Sequence, residues 1–340
     1  MKHLNSIKHR LEVLTLATVL ITSSANAGTI IGHNDVAGVA ALPQATMDAI
    51  GRQRWLFTHA SVGGNIIEGL ADLHTASPGR YRLVTDTAGD GSSVYSPPAT
   101  TVPGTIYDAN RGNPGWSEKF AIFDSAVRTS GWHAPKVDMI MNKLCFIDQD
   151  ANPTNYIASM TALERDYPGT VLVYTTMPLM DNEDADNCLR NDYNNVVRAH
   201  CQTNQGVLLD IADIESHDPA GNPITFTNQG KVYQKLNSNY SSDGGHLNTA
   251  GEQRVALGWY AAAATLTPRL TIARTAGTTL ISWPAPAGDC TFEHTSELSA
   301  TAATPWTTAA LPCQTNHGTI SVTITNQSAS GNHFFRLHKP

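Results

Sequence analysis

Four short runs of almost purely apolar residues, with helix-like segments between them, constrain the fold of this chain most. Strands with this composition are buried on both faces, which happens when helices cover both sides of a parallel sheet. The pattern therefore predicts an α/β fold in three layers, α/β/α, around a parallel sheet. The predicted strands are 54–58, 137–141, 171–174 and 207–211.

The pattern changes after Pro268. Short β-type runs separated by Gly, Pro and Asn follow, and they predict a small all-β sandwich. Two roles are open for it: a stabilising or spacer module, or attachment to a surface or a glycan. We therefore divide the chain into an α/β domain over 28–265 and an accessory β-sandwich domain over 268–340, preceded by a leader over 1–27.

The leader has the three parts of a signal peptide. Basic residues stand near its start, Leu14 to Ile21 form a short apolar stretch, and Ala25-Asn26-Ala27 has the A-x-A form of a cleavage site. The apolar stretch is too short for a stable membrane anchor. We predict cleavage near Ala27, no membrane span, and a secreted or periplasmic protein.

The net charge of the chain argues against nucleic acid as a partner. The leader carries three Lys or Arg residues and one Glu, a net of +2, so the formal charge of −7 becomes −9 after cleavage. Binding to phosphate backbones needs a concentrated basic face. We therefore expect no nucleic-acid partner, and we interpret the acidic balance as ordinary solubility.

The chain has five cysteines, and export would place them in an oxidising compartment. Pairing within each predicted domain gives disulfides Cys188–Cys201 and Cys290–Cys313. Cys145 is left over at the end of an apolar strand, where we expect a buried structural thiol. A cysteine nucleophile is the alternative, although no local signature supports it.

The strongest chemical signal is the sequence Asp243-Gly244-Gly245-His246, placed just before the last helix of the α/β domain. The glycines permit a tight turn on which the carboxylate can accept the imidazole Nδ1–H and leave Nε2 free to take a proton. Thr249 and Glu252 have the spacing of a capping box, which marks the start of that helix. A calcium-type or plain surface loop is the alternative.

The second signal is Ser61, which follows an apolar strand and precedes a helix. A serine at such a junction presents its hydroxyl at the carboxyl edge of the sheet, where open α/β sheets bind ligands. The amide at the start of the helix can help to hold an oxyanion. The alternative is that Ser61 only caps the helix.

An early Ser61 and a late Asp243-x-x-His246 resemble the SGNH (GDSL-like) hydrolase superfamily over about residues 52–265. The chain is similar to a branch with F-x-H-x-S-V-G-x-N-I in place of Gly-Asp-Ser-Leu. The resemblance implies a flavodoxin-like sheet and a serine esterase in which Ser61 is the nucleophile, His246 the base and Asp243 its support. It also implies short acyl esters, acetyl esters on carbohydrates above all, and no metal or organic cofactor.

In that superfamily a glycine amide and an asparagine side chain also donate hydrogen bonds to the oxyanion. Gly115 matches the glycine block best, and Gly89 competes with it. At the asparagine position this chain has Ile147, so that donor is missing and its loss would weaken transition-state stabilisation. Asn65 and Asn142 are the candidates to replace it.

His59 stands two residues before Ser61 and would point to the same side of the strand. It either orients the site or is a satisfied structural histidine. Three function classes remain open from the sequence: a serine esterase, a non-catalytic glycan-binding or adhesion protein, including a pseudoenzyme, and an acyltransferase to sugar hydroxyls. The expected partner is a small-molecule or carbohydrate ester, and the oligomeric state is not predicted.

Overall fold

A computed structural model describes residues 28–91, 93–182 and 184–267 of the α/β region. In the C-terminal region it describes 270–274, 277–284, 290–298, 304–316, 319–325 and 333–338. The predicted signal peptide, residues 1–27, lies outside the described residues. Within these ranges, no helix is both long enough and apolar enough to cross a bilayer.

The α/β region contains a sheet of eight strands that are all parallel to their neighbours except at one edge. Its strands are β1 (Thr29–Ile31), β2 (Trp55–His59), β3 (Val84–Asp90), β4 (Ser93–Val94), β5 (Thr105–Asn110), β6 (Met139–Asn142), β7 (Val171–Thr175) and β8 (Val207–Leu209). The helices are α1 (His33–Gly38), α2 (Gln44–Ile50), α3 (Val62–Ala76), α4 (Trp116–Arg128), α5 (Pro153–Asp166), α6 (Asp184–Asn204), α7 (Ile211–Glu215) and α8 (Thr249–Thr265). A hairpin of β9 (Thr225–Asn228) and β10 (Lys231–Gln234) stands apart from this sheet.

The strand order is β1-β8-β7-β6-β2-β5-β3-β4. Its central part, β5-β2-β6-β7-β8, has the order 2-1-3-4-5 of flavodoxin-like sheets, and the predicted fold class is confirmed. The chain leaves β2 toward the β3 edge and later crosses to β6 on the other side. The carboxyl end of β2 is therefore a topological switch point, the place where open α/β sheets bind ligands.

Two apolar clusters, one on each face of the sheet, form the core. Trp55 and Phe57 point to the face that is covered by α1, α2, α3, α7 and α8. Leu56, between them, points to the face that is covered by α4, α5 and α6. The alternation follows from the two-residue period of a strand, and it fixes the register of β2 against its neighbours.

The C-terminal residues form two small antiparallel sheets. One contains β11 (Thr271–Arg274), β12 (Thr278–Pro284), β15 (Gln314–Asn316) and β16 (Thr319–Thr325); the other contains β13 (Thr291–Thr295), β14 (Thr307–Thr308) and β17 (Phe334–His338). Trp283 of the first sheet stacks on Phe292 of the second, with 5.2 Å between ring centroids. Ile281 and Val322 are buried with them, so the two sheets share an apolar interior.

Both predicted disulfides are wrong. Cys188 and Cys201 lie on the same helix, α6, where 13 residues span about 20 Å, whereas a disulfide needs Cα atoms within about 7 Å. Cys201 is buried in the core and Cys188 contacts Asn228. Cys290 packs against the apolar cluster of the C-terminal sheets, while Cys313 is exposed, so their side chains face different surroundings.

Glu215, the last residue of α7, is a buried acid that bears on stability. Its Oε1 accepts a hydrogen bond from the amide of Leu179 at 2.5 Å, while no described group pairs with Oε2. Burial raises the pKa of Glu215 to about 8, although the Leu179 amide and the charge of Lys143 oppose the shift. The native chain therefore holds this acid protonated near neutral pH.

We expect Glu215→Gln to remove a pH dependence of stability. A folded-state pKa near 8 against an ordinary value of 4.5 means that wild type loses stability as the pH rises from 4.5 through 8. Relative to wild type, the variant, which mimics the protonated acid, should therefore gain about 3.5 kcal/mol in free energy of unfolding between pH 5 and pH 8. Urea denaturation of both proteins at pH 5 and pH 8 measures the difference, and an equal gap at the two pH values would contradict it.

Candidate active site

Ser61 lies where β2 ends and α3 begins, at the carboxyl edge of the sheet. Its backbone has φ 56° and ψ −122°, a positive φ that side chains other than glycine rarely adopt and that costs about 1–3 kcal/mol. Its hydroxyl makes no capping hydrogen bond to α3; instead Oγ lies 2.6 Å from Nε2 of His246. Ser61 is therefore more than a helix cap, and the strained turn presents its hydroxyl at the sheet edge.

His246 is held by the turn that begins at Asp243. One carboxylate oxygen of Asp243 lies 2.7 Å from Nδ1 of His246, and the other accepts the backbone amides of Gly245 and His246 at 3.1 and 2.8 Å. Gly244 has φ 101°, a conformation that a residue with a Cβ would resist. The turn predicted from sequence therefore brings carboxylate, imidazole and the distant Ser61 hydroxyl into one line of hydrogen bonds.

The charge of Asp243 determines which nitrogen of His246 carries the proton in this line of hydrogen bonds. The backbone hydrogen bond from His246, then its side chain and the amide of Gly245, lower the pKa of Asp243 to about 2. An ionised carboxylate at Nδ1 requires a proton there, which leaves Nε2 as the acceptor of the Ser61 hydroxyl proton. The arrangement can therefore activate a serine oxygen as a nucleophile.

Two basic residues flank this junction from the neighbouring strands. Arg111 follows β5 and its amide donates to the carbonyl of His59; Lys143 follows β6 and its amide donates to the carbonyl of Thr58. Both side chains are fully buried. Burial lowers the pKa of Lys143, and it lowers the pKa of Arg111 to about 10. Arg111 therefore stays charged near neutral pH, and both side chains lie close enough to His59 to act on its charge.

Another buried basic residue, Lys119 of α4, pairs with Asp148 at 2.5 Å. The same carboxylate oxygen accepts the amide of Cys145 at 2.7 Å, which closes the turn after β6. Cys145 is buried, as predicted, and its Sγ lies 3.5 Å from the carbonyl of Ala60. Ile147, at the position of the missing asparagine, is half exposed. Sequence reasoning missed the charged network, although Arg, Lys and Asp next to apolar strands were the available signal.

Asn65 connects the Ser61 helix to the His246 turn. Its amide oxygen accepts the backbone N–H of Leu247 at 3.2 Å, and its amide nitrogen donates to Oε1 of Glu252 at 2.9 Å. The side chain therefore spans from the first turns of α3 to the residue after His246 and to α8. This geometry indicates a positioning role rather than the oxyanion donation that the sequence suggested.

We expect Asn65→Ala to lower kcat for an ester substrate roughly 10- to 100-fold with little change in KM, because the imidazole would drift from Ser61. Steady-state kinetics measure the two constants separately. Asn155→Ala, at an exposed asparagine of α5, is the matched control. A variant that melts earlier than wild type but keeps its kcat would show that Asn65 supports the fold alone.

His59 is buried, and its Nε2 lies 2.5 Å from Oδ1 of Asp108 on β5. Burial lowers the pKa of His59, although the Asp108 carboxylate opposes the shift, so the imidazole is neutral. Gly63 allows the close approach, since a Cβ there would stand 2.4 Å from the His59 side chain. His59 thus packs beneath the turn between β2 and α3. The structure records no contact between His59 and Ser61 or His246.

Asn142 is fully buried at the end of β6. Its amide oxygen accepts from Thr58 at 2.8 Å and from Arg111 at 3.3–3.4 Å, while no described group pairs with its amide nitrogen. Asn142 therefore anchors the two strands that flank the junction. A direct contact with substrate would require it to be exposed, which it is not.

The glycine candidates differ in where they lie. Gly89 is buried inside β3, two strands from β2, and pairs with Ala109 of β5. Gly115 is exposed at the start of α4, with open space where a Cβ would lie. Gly112, which sequence reasoning passed over, has φ 71° and stands two residues beyond Asn110, the strand partner of His59. Gly112 and Gly115 are thus the glycines on the loop that leaves β5 beside the Ser61 turn.

An aromatic ring supports the imidazole. Phe146 meets His246 edge-on, with 5.3 Å between ring centroids. A Cβ on Gly245 would stand 2.9 Å from that ring, so the glycine lets the turn approach it. His246 nevertheless keeps 39% of its side chain exposed and Asp243 keeps 57%. The group therefore lies at the surface, where a substrate can reach it.

The chain matches no family model and no curated protein. Among solved structures, it is similar to a candidate platelet activating factor from Streptococcus pneumonia. The likeness covers 67% of this chain and 90% of that chain, with 16% sequence identity and a TM-score of 0.36.

Proposed function

We propose that this chain is an exported serine esterase of the SGNH (GDSL-like) superfamily, which hydrolyses short acyl esters, acetyl esters on carbohydrates above all. The observation that carries the proposal is the line of hydrogen bonds from Ser61 through His246 to Asp243. The strained backbone of Ser61 and the switch point of the sheet support it. Export to the periplasm or the medium rests on the predicted signal peptide.

The reaction begins when Nε2 of His246 takes the Ser61 proton and Oγ attacks the ester carbonyl. Asp243 stabilises the imidazolium that forms. The imidazolium then gives its proton to the leaving alcohol, and the acyl group stays on Ser61. A water molecule, deprotonated by His246, attacks the acyl-enzyme and releases the acid, which restores the free serine.

The tetrahedral oxyanion needs donors at the edge of β2 and β5. The backbone amide of Ser61 and an amide of the loop after β5, Gly115 or Gly112, serve this role. No asparagine of the usual block adds to them, and the buried charge of Arg111 compensates part of the loss through the low-dielectric interior.

The exposure of His246 and Asp243 favours a substrate whose alcohol extends away from the protein, since little of the group is enclosed. A carbohydrate that carries a small acyl group has this shape. The acyl identity rests on the superfamily resemblance.

Labelling with a fluorophosphonate probe tests the proposal directly. We expect stoichiometric labelling, with the adduct on the peptide that contains Ser61, and hydrolysis of 4-nitrophenyl acetate faster than of the octanoate. Absence of both labelling and turnover would contradict the proposal. Labelling with acyl transfer to an added sugar in preference to water would instead identify an acyltransferase.

A further inference from the structure

A second group of functional side chains lies near the other edge of the sheet. It borders a cavity of about 570 Å³ between α1, α6 and the β9–β10 hairpin. Three residues, which we call the histidine cluster, define it: His33, Asp213 and His217. His33 follows β1, which is four strands from β2, so the cluster stands about 19 Å along the sheet from the Ser61 junction.

The cluster has the ligand chemistry of a metal site. One donor atom from each of the three residues lies within 4.8 Å of the others. Nδ1 of His33 is 2.6 Å from Oδ2 of Asp213, and Nδ1 of His217 is 3.5 Å from its Oδ1. The side chains of His33, Asp213 and His217 are 17%, 20% and 9% exposed, so they are partly desolvated. His33 and Asp213 line the cavity, and His217 stacks on His33.

We propose that His33, Asp213 and His217 bind one divalent transition-metal ion, with zinc as the best fit and water in the fourth position. Two imidazole nitrogens and a carboxylate oxygen are ligands that zinc prefers in tetrahedral sites. Ligands at about 2.0–2.1 Å in a tetrahedron stand about 3.3 Å apart. The distances of 2.6 and 3.5 Å lie on either side of that spacing.

Binding requires a small rearrangement of the rings. The two imidazoles are stacked, with centroids 3.6 Å apart and planes 7° apart, so their in-plane lone pairs run parallel. An ion in contact with both must tilt the rings apart, which the broad torsion at the imidazole permits. Each neutral ring then carries its proton on Nε2 and offers Nδ1. The ion replaces the hydrogen bond of His33 Nδ1 to the Asp213 carboxylate and that of His217 Nδ1 to the backbone carbonyl of Asp213, at 2.6 and 2.7 Å.

Groups around the cluster already hold the carboxylate in place. The amide of His33 donates to Oδ2 of Asp213 at 2.8 Å, and Nε2 of Gln234 donates to its Oδ1 at 3.2 Å. These two hydrogen bonds fix the orientation of the Asp213 carboxylate. Oriented ligands of this kind are usual around bound metals.

The charge of the cavity favours a cation. Arg198 is neutralised by a two-point ion pair with Asp210, at 2.6 and 2.8 Å. Asp35 and Asp213 then leave the cavity lining with net negative charge. An ion here would join the first turn after β1 to α7 and to the residues that follow it, positions 180 residues apart in sequence. A bound ion would thus stabilise the position of the edge strand β1 against α7. This role is independent of the proposed hydrolysis.

Titration calorimetry of the untagged, chelator-treated full chain with zinc chloride at pH 7.5 tests the site. We expect one ion per chain with a dissociation constant in the micromolar range or below. A zinc concentration of 100 times that constant should raise the melting temperature by about 5 °C. His33→Gln and His217→Gln should each weaken binding at least 10-fold, while His200→Gln, at a histidine of α6 outside the cluster, should leave it unchanged.

No heat of binding in wild type up to 100 µM zinc would overturn the proposal, and so would equal affinity in wild type and both cluster variants. If one variant fails to fold, the other decides, together with the visible absorption of cobalt(II) bound to wild type. A tetrahedral cobalt spectrum that disappears in the folded variant supports the site; an octahedral spectrum or none contradicts it.

Discussion

Replacing Ser61 by alanine is expected to lower kcat/KM for an acetyl ester by about 10⁵- to 10⁶-fold and to abolish labelling by a fluorophosphonate. Without the hydroxyl no acyl-enzyme can form, and the residual rate comes only from binding and from the remaining oxyanion donors. The fold should survive, because Ser61 makes no capping bond to α3 and its side chain contacts the exposed turn of His246. Initial rates with 4-nitrophenyl acetate and mass spectrometry of the labelled chain measure the two effects.

Ser125→Ala is the matched control, because Ser125 lies exposed on α4 and should keep both rate and label. Label that persists on Ser61→Ala, or a rate within 10-fold of wild type, would show that another nucleophile acts. The test also separates the proposals, because zinc binding at the histidine cluster should be the same in Ser61→Ala as in wild type.

Replacing Asp148 by asparagine is expected to lower the free energy of unfolding by about 3–5 kcal/mol. The substitution keeps the shape of the side chain but leaves Lys119 fully buried without its counter-charge. The buried side chains of Arg111 and Lys143 also interact electrostatically with Asp148. Removal of one partner of a buried pair leaves an uncompensated charge, which costs far more than the pair contributes. Urea denaturation at neutral pH measures the change.

The double variant Lys119→Met with Asp148→Asn should regain at least half of that loss, because no unpaired ammonium group then remains inside. Asp192→Ala breaks the pair with Lys231, in which both side chains are about half exposed, and should change stability little. A cost for Asp148→Asn no larger than for Asp192→Ala would mean that the Lys119 charge is solvated or lost in the native chain.

The sequence predicted the central fold and the two halves of the site because their signals are local. The predicted strand 54–58 has an apolar centre, Trp55 to Phe57, and overlaps β2, and the turn at 243–246 is fixed by its own glycines and by the helix that follows. The helix predicted to follow Ser61 is α3. Both signals can be recognised without knowing which distant residues lie nearby. One is a strand that ends in a serine, and the other is a carboxylate three residues before a histidine.

The strands β3 and β5 were missed for a physical reason. Thr105–Asn110 contains Asp108 and Asn110, and Val84–Asp90 is exposed along most of its length. Neither run is apolar enough to be recognised as a buried strand, because β3 lies near the sheet edge and β5 contributes polar groups to the site. Without β5, the sequence could not show that Arg111 and Gly112 lie beside Ser61.

Contacts between residues that are far apart in the chain could not be predicted from the sequence either. Cys188 and Cys201 were paired because they lie within one predicted domain, but both are on α6, where 13 residues of a single helix separate them by about 20 Å. His33 and Asp213 meet across 180 residues, through the pairing of β1 with β8 at the sheet edge. Such contacts depend on strand order, which local patterns do not determine.

The positive φ of Ser61 places the hydroxyl for reaction but lowers the stability of the folded chain. Glycine would occupy this backbone geometry without strain, so serine here makes the native state less stable than the fold alone would allow. Directed evolution for heat resistance, without selection for turnover, should therefore drift toward glycine at this position. The resulting variant would be more thermostable and catalytically inactive, and it could bind an intact ester for crystallography.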